Sequence, residues 1–321
     1  LSENLASFFN LDYPRYELIF SVAEFSDPAC DVILQLMTKY PRIDSKLLVG
    51  EVKAGPNPKV NNLIRPYKMA RHDWVLISDS NVRVPRNYLR EVVRGFTPDV
   101  GIVTAVIAGR QPRSGGAWLE AVFLNTFYAR WMVIAGRIGA PVVVGKSMLF
   151  RRSDVDRFGG IANLKHYLAE DYMAGKAMRF LGRRVLVMRH PVSQPLGEYT
   201  LSAFWSRHLR WGRIRKAQAP LAFLLKPMFS GVVSGLIGAL ALRALCGFDF
   251  FAAFGAHLLL WSLADLIVMR ALGEAVTPKT LIAWLARETL HMPMWFHILL
   301  GHTVCWRGQT LTVARGGILK A

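Results

Sequence analysis

The sequence predicts an α/β domain built on a doubly wound sheet, followed by helices that enter a membrane. Three observations carry this. Short apolar runs alternate with helix-spaced segments between Tyr16 and Phe150, a βαβα rhythm that predicts parallel strands with helical crossovers. The run Trp74-Val75-Leu76-Ile77 ends in Ser78-Asp79-Ser80-Asn81, which puts a carboxylate at a strand end, where open α/β sheets have their ligand crevice. After Pro220 the chain turns strongly apolar, as membrane spans do.

Each element has its own signal. The chain opens on a helix-like stretch, LSENLASFF, and Tyr16–Phe25 is a strand candidate closed by Ser26-Asp27-Pro28. Asp31–Tyr40 has helical apolar spacing, Leu47–Val52 is the next strand, and Lys59–Ala70 is a helix after the loop Gly55-Pro56-Asn57-Pro58. Val100–Ile107 and Pro141–Phe150 supply later strands. Between them, Trp118 to Ile138 is helix-like and rich in large apolar residues; it is either a core helix or one lying on a membrane surface. His166–Leu181 is a further helix, stopped by Gly182. Segments 221–246 and 250–272 each approach the roughly 20 apolar residues that cross a bilayer core. The segment 281–306 is apolar but holds Arg287, Glu288, His291 and His302, which are costly in lipid, so it is a span or a re-entrant helix. The chain thus divides into an α/β domain, 1–219, and a membrane domain of two to three helices, 220–321.

Lysine and arginine number 40 against 22 acidic residues, a net charge of +18. Such a charge can serve nucleic acid, but there is no nucleic-acid module and no zinc-ligand spacing. Basic flanks of membrane spans explain it better, above all the run from Arg207 to Lys216 just before the first apolar segment. The three cysteines, Cys30, Cys246 and Cys305, form no C-x-x-C pair; a disulfide framework is excluded and a reducing cytoplasm fits.

Asp79 and Asn81, two positions apart past a strand, can share a cation, although Asp and Asn also begin turns for structural reasons. Glu170-Asp171 puts two carboxylates next to each other on a helix, so at most one is expected to face a site. In Arg207-x-x-Arg210-Trp211 the i, i+3 and i+4 positions form one surface, with guanidinium forks for phosphate oxygens and an indole face for a ring. Without its neighbours this element reads equally as a basic helix anchored by an interfacial Trp.

In this order and spacing the three elements resemble the family-2 and family-21 class of glycosyltransferases, most closely the ceramide glucosyltransferase branch. Asn57-Pro58-Lys59-Val60-Asn61-Asn62-Leu63, Gly145-Lys146-Ser147 with Arg151-Arg152, and Trp306-Arg307 with Gly316-Gly317 extend the resemblance over nearly the whole chain. It implies a GT-A type fold with a mixed, Rossmann-like sheet and C-terminal transmembrane helices. It implies Asp171 as general base, Asp79 and Asn81 as the site of Mg²⁺ or Mn²⁺, and donor or acceptor contacts from Glu24, Lys59, Asn61, Gly145, Ser147, Glu170, Arg207, Arg210 and Trp211. The reaction implied is inverting transfer of a hexose, glucose in the ceramide branch, from a UDP-sugar to a lipid hydroxyl such as that of ceramide or diacylglycerol. The catalytic domain is expected on the cytoplasmic face of a membrane, in a bacterium the inner one. Two departures stand out. Ala23-Glu24-Phe25-Ser26-Asp27-Pro28-Ala29 puts Glu24 where the family has Asp, and the family's first strand and N-terminal span are expected upstream of Leu1. The alternatives are a processive polysaccharide synthase, disfavoured by Arg207 and the short apolar tail, and a silent membrane scaffold.

Overall fold

Strand-helix alternation becomes real structure wherever a cap or a turn residue punctuates it. The computed structural model describes residues 1–306 and 309–320; Arg307 of the tail motif lies outside them. The chain forms two units, one of Leu1–Ile107 and Met132–Pro195, the other of Ala108–Trp131 and Leu196–Ala321.

The first unit begins with α1 (Ser2–Phe9), β1 (Glu17–Val22), α2 (Ala29–Lys39) and β2 (Asp44–Val49). β1 and β2 pair in parallel, and Leu5 and Phe9 of α1 with Ile33 and Leu36 of α2 bury Val22. Next come α3 (Pro58–Met69), β3 (Trp74–Ile77), α4 (Tyr88–Arg94) and β4 (Val100–Pro112). Helix α3 starts where Asn57 accepts from the Lys59 and Val60 amides at 2.8 and 3.2 Å and Pro58 takes the first helical position, an N-cap with a proline just inside it. After α5 (Gly115–Phe123), a π-helical turn (Leu124–Tyr128) and α6 (Ala129–Arg137), the chain returns with β5 (Met148–Arg151), α7 (Arg152–Asp156), α8 (Glu170–Phe180) and β6 (Arg184–Gly197).

The larger sheet has the order β3-β5-β4-β6, and β5 runs antiparallel to both β3 and β4. The sheet is therefore open and mixed, as the family resemblance implies, and not parallel throughout as the strand-helix rhythm taken alone predicts. Phe150, Met148, Ile102 and Met178 form its buried core. The strand expected over Pro141–Phe150 is only Met148–Arg151. The reason is local: the Val144 amide donates to the Thr104 hydroxyl at 3.0 Å, and such a side-chain bond replaces a ladder bond. Residues 141–147 are left as a loop.

The long helix expected from Trp118 to Ile138 breaks into α5, the π turn and α6. Leu124, Asn125, Thr126 and Met132 are fully buried, which selects the core reading over the surface one. Asn125 donates to the Gly109 carbonyl and accepts from its amide, both at 2.8 Å.

The second unit continues with α9 (Leu201–Gln218), α10 (Pro220–Leu224), α11 (Gly231–Cys246), α12 (Phe250–Ala271) and α13 (Pro278–Leu300), then β7 (Thr303–Trp306), β8 (Gln309–Val313) and β9 (Leu319–Lys320) in one antiparallel sheet. Of the two or three membrane helices expected, one among the described residues, α12, is long and apolar enough to cross a membrane. Segment 221–246 is broken by a 3-10 turn at Lys226–Phe229, which includes Pro227, and by extended backbone at Ser230. That leaves α11 with 16 residues, about 24 Å of helix against the roughly 30 Å of a hydrocarbon core. Helix α13 ends at Leu300 rather than near 306 and buries Arg287 and Glu288.

Helices α11 and α12 form a hairpin turned at Gly247, whose left-handed backbone (φ +71°) suits glycine. Gly231 and Gly235 let Trp261 and His257 approach so closely that a Cβ would sit 2.7 and 2.6 Å from their rings. Between α12, α13 and α6 lies a buried ion cluster. Asp265 accepts from Trp284 Nε1 at 2.8 Å and from Arg287 Nη2 at 3.0 Å, and Arg130 Nε stands 2.9 Å from its other oxygen. Glu288 accepts from the Ser230 hydroxyl at 2.8 Å and pairs with Arg287.

Candidate active site

Five residues of the first unit meet where β3, the 141–147 loop and the start of α8 converge. Helix α8 begins at Glu170, not at His166. Its first two residues, although adjacent, both bring a carboxylate oxygen to the backbone of the 141–147 loop. A Cβ on Gly145 would lie 3.2 Å from Asp171 Oδ2, 3.3 Å from Glu170 Oε1 and 2.7 Å from Lys59 Nζ. The expectation that only one of the pair faces a site is corrected accordingly. A methyl at position 145 would press on the Lys59 ammonium and displace it.

Lys59, two residues into α3, ties the group together. Its ammonium lies 2.9 Å from Glu170 Oε1 and 3.1 Å from Asp79 Oδ1, and donates to the Gly145 carbonyl at 3.3 Å. Burial opposes this charge, but Glu170, Asp79 and Asp171 outweigh it and hold the ammonium well above the ordinary lysine range. Lys146 donates to Asp79 Oδ2 at 3.2 Å and to Asn81 Oδ1. Burial raises the Asp79 carboxyl, yet Lys59 and Lys146 together bring it below the usual aspartate value. Glu170 is raised, first by burial and then by the Asp171 charge, against the pull of Lys59. Asp171 accepts from the Gly145 amide at 2.8 Å and from its neighbour Tyr172 at 2.7 Å. Three carboxylates thus face two ammonium groups.

Other residues marked by sequence take different places. Asn61 is buried and holds the loop before α3, accepting from the Ala54 and Gly55 amides at 3.1 Å and donating to the Gly55 carbonyl at 2.9 Å. Ser147 is fully buried with its hydroxyl against Tyr88, so it supports the loop from beneath and lines no opening. Glu24 is exposed past the end of β1, with Ser26 as its side-chain partner at 3.5 Å. Asn57, not singled out by sequence as a site residue, is entirely buried and reaches the Tyr167 carbonyl at 2.6 Å and Glu170 Oε2 at 3.5 Å.

In the second unit the R-x-x-R-W element lies on α9, capped by Thr200. Arg207 Nε is 3.3 Å from Glu120 Oε1, and its guanidinium stacks 4.3 Å over the Trp211 ring. His208, inside the motif, pairs with Glu120 Oε2 at 2.8 Å between the rings of Phe123 and Phe204. Burial lowers the His208 pKa in spite of Glu120, so the neutral ring donates to the carboxylate. Arg210 is half-buried, and no carboxylate among the described residues pairs with its guanidinium. Burial and the neighbouring Arg207 charge lower its pKa. An unpaired guanidinium so placed is a ready seat for an anion. Glu120 escaped sequence reasoning because its partners lie 88 residues away.

With this geometry in hand, the chain's likenesses can be stated. The description "Glycosyl transferase family 21" matches residues 1–319. Ceramide glucosyltransferase 1 of Caenorhabditis elegans is 30% identical over 326 residues, spanning 100% of this chain and 70% of its own. Ceramide glucosyltransferase of Komagataella phaffii is 27% identical over 401 residues, with 96% and 79% covered. Among solved structures, a mannosyltransferase from Pyrobaculum calidifontis in complex with GDP-Man and Mn²⁺ is 17% identical and covers 92% of this chain and 80% of that one with a TM-score of 0.49, a likeness too slight to carry fold or chemistry across. The match over nearly every residue makes this chain a member of glycosyl transferase family 21, a sugar-transferring enzyme related to the ceramide glucosyltransferases.

Proposed function

We propose that this enzyme is an inverting transferase that moves glucose from a UDP-sugar to a lipid hydroxyl, ceramide being the first acceptor to test. The observation that carries the reading is the meeting of Asp171, Glu170, Lys59 and Asp79 around Gly145. A base and a cation-lined anion seat side by side are what such a transfer needs. The acceptor oxygen attacks the anomeric carbon as the bond to the diphosphate oxygen breaks. Asp171 takes the hydroxyl proton, and UDP leaves as an anion without an acid to protonate it. Lys59 bonds Glu170 beside the base, and Arg210, with Trp211 as its flat neighbour, is assigned to an anionic group of a substrate. Glu24, at the end of β1, is assigned to the nucleotide.

Asp79 and Asn81 offer hard oxygen donors of the kind Mg²⁺ and Mn²⁺ prefer, and the surplus of carboxylate over ammonium leaves negative charge for a cation. The residues fit such an ion. When bound it supplies positive charge against the diphosphate. The exposed large apolar side chains of α11 and α12, among them Leu240, Leu245, Phe251, Leu260 and Ile267, support a bilayer around 220–321, with chemistry assigned to 1–219. The relatives named above are eukaryotic and lend nothing to a bacterial placement.

The test is a panel of sugar nucleotides with ceramide, diacylglycerol and no added acceptor. Glucosylated lipid from UDP-glucose supports the reading; polymer without acceptor turns it to a polysaccharide synthase, and no product with any pair turns it to a scaffold.

A further inference from the structure

The Asp79–Asn81 oxygen pair already has an ammonium on it. Lys146 donates to Asp79 Oδ2 at 3.2 Å and to Asn81 Oδ1, and the residue is only 8% exposed. The other Asp79 oxygen faces Lys59 at 3.1 Å. The two lysines are not equivalent. Lys59 is also held by Glu170 at 2.9 Å and by the Gly145 carbonyl at 3.3 Å. Lys146 sits on the two oxygens that a small divalent ion would need at about 2.0–2.2 Å. An ammonium bonded to both oxygens competes with such an ion for them, and like charges a few ångströms apart in a half-buried site repel.

We infer that Lys146 is the resident counter-cation of the Asp79–Asn81 pair and competes with the divalent ion for it, so that ion and donor diphosphate bind together, the displaced ammonium passing to a phosphate oxygen. The inference rests on the metal reading above. It makes Lys146 a donor-binding residue and a brake on metal uptake by the empty enzyme. Gly145, which brings the loop against the carboxylates, sets its backbone in place.

The experiment is Mn²⁺ titration of the full chain in detergent, read from the free-ion electron paramagnetic resonance signal, with and without UDP and corrected for Mn²⁺ held by UDP alone. Lys146→Met and Lys146→Gln remove the charge, Lys146→Arg keeps it, and thermal melting shows which variants fold. Without UDP, the neutral variants should bind Mn²⁺ at least tenfold tighter than the parent chain and the arginine variant no more than threefold tighter; with UDP the gap should close. If both neutral variants match the parent without UDP while all bind Mn²⁺ with UDP, the competition is refuted and the metal reading stands. If no form binds Mn²⁺ beyond what UDP holds, the metal reading falls and takes this inference with it.

Discussion

The molecule contains two clusters of opposite charges, and they differ in closure rather than in residue type. In the second unit Asp265 and Glu288 face Arg130 and Arg287, two against two. Trp284 and Ser230 take further oxygens, and both carboxylates are at most 2% exposed. In the first unit three carboxylates face two ammonium groups, and the Asp79 side chain keeps 32% of its surface. The first arrangement is balanced in formal charge and its carboxylates are buried, which makes it a fastening. The second has charge left over and a way in from solvent, so it can accept a ligand. Burial and balance separate structural ions from chemical ones where composition does not.

Exchanging single groups in the two clusters should give opposite phenotypes. Asp171→Asn should lower kcat about 10²- to 10⁴-fold, the range for loss of a general base, with the KM for UDP-glucose and the melting temperature unchanged. An unaltered kcat would remove Asp171 from the chemistry. Asp265→Ala should do the reverse: leaving Arg287 and Arg130 buried without their partner costs about 3–5 kcal/mol, seen as a lower melting temperature in detergent, while the folded fraction keeps its turnover per molecule. Retained stability would mean the fastening carries no load. Gly145→Ala pushes a methyl against the Lys59 ammonium and should cost up to about 10²-fold in kcat/KM through misplacement.

Smaller effects refine the contrast. Glu170→Gln should lower kcat about tenfold or less, because Glu170 sets the field around Asp171 without taking the proton; a collapse equal to that of Asp171→Asn would mean the two act as one base. The smallest effect concerns His208. Its folded pKa lies below the unfolded value of about 6.5, so the unfolded chain binds the extra proton first. Stability should be full above that value and decline as pH falls below it, and His208→Phe should flatten the decline in a melting series.

What sequence could reveal follows from the range of each signal. Asp79 stood out because a four-residue strand ends just before it, and Glu170-Asp171 because the surrounding segment has helical spacing. Both signals are local. That both carboxylates reach one neighbour is not legible in the helical spacing, because the neighbour, Gly145, lies 25 and 26 residues away in sequence. Lys146 has no local mark: a lysine after glycine in a loop reads as a solvated charge, and its partners are 65 and 67 residues away. Glu120 reads as a helix surface charge until α9 is laid against it. The membrane segments were over-read because hydropathy does not register that Pro227 and Ser230 interrupt a helix.

The hairpin of α11 and α12 has arms of 16 and 22 residues, about 24 and 33 Å. In a bilayer the longer arm matches the hydrocarbon thickness and the shorter falls several ångströms short, so the lipid around it must thin. Because glycines lock the arms together, neither can adjust alone. An enzyme fastened to such a hairpin would feel the acyl-chain length of its host membrane, working best in thin bilayers and losing turnover as the chains lengthen.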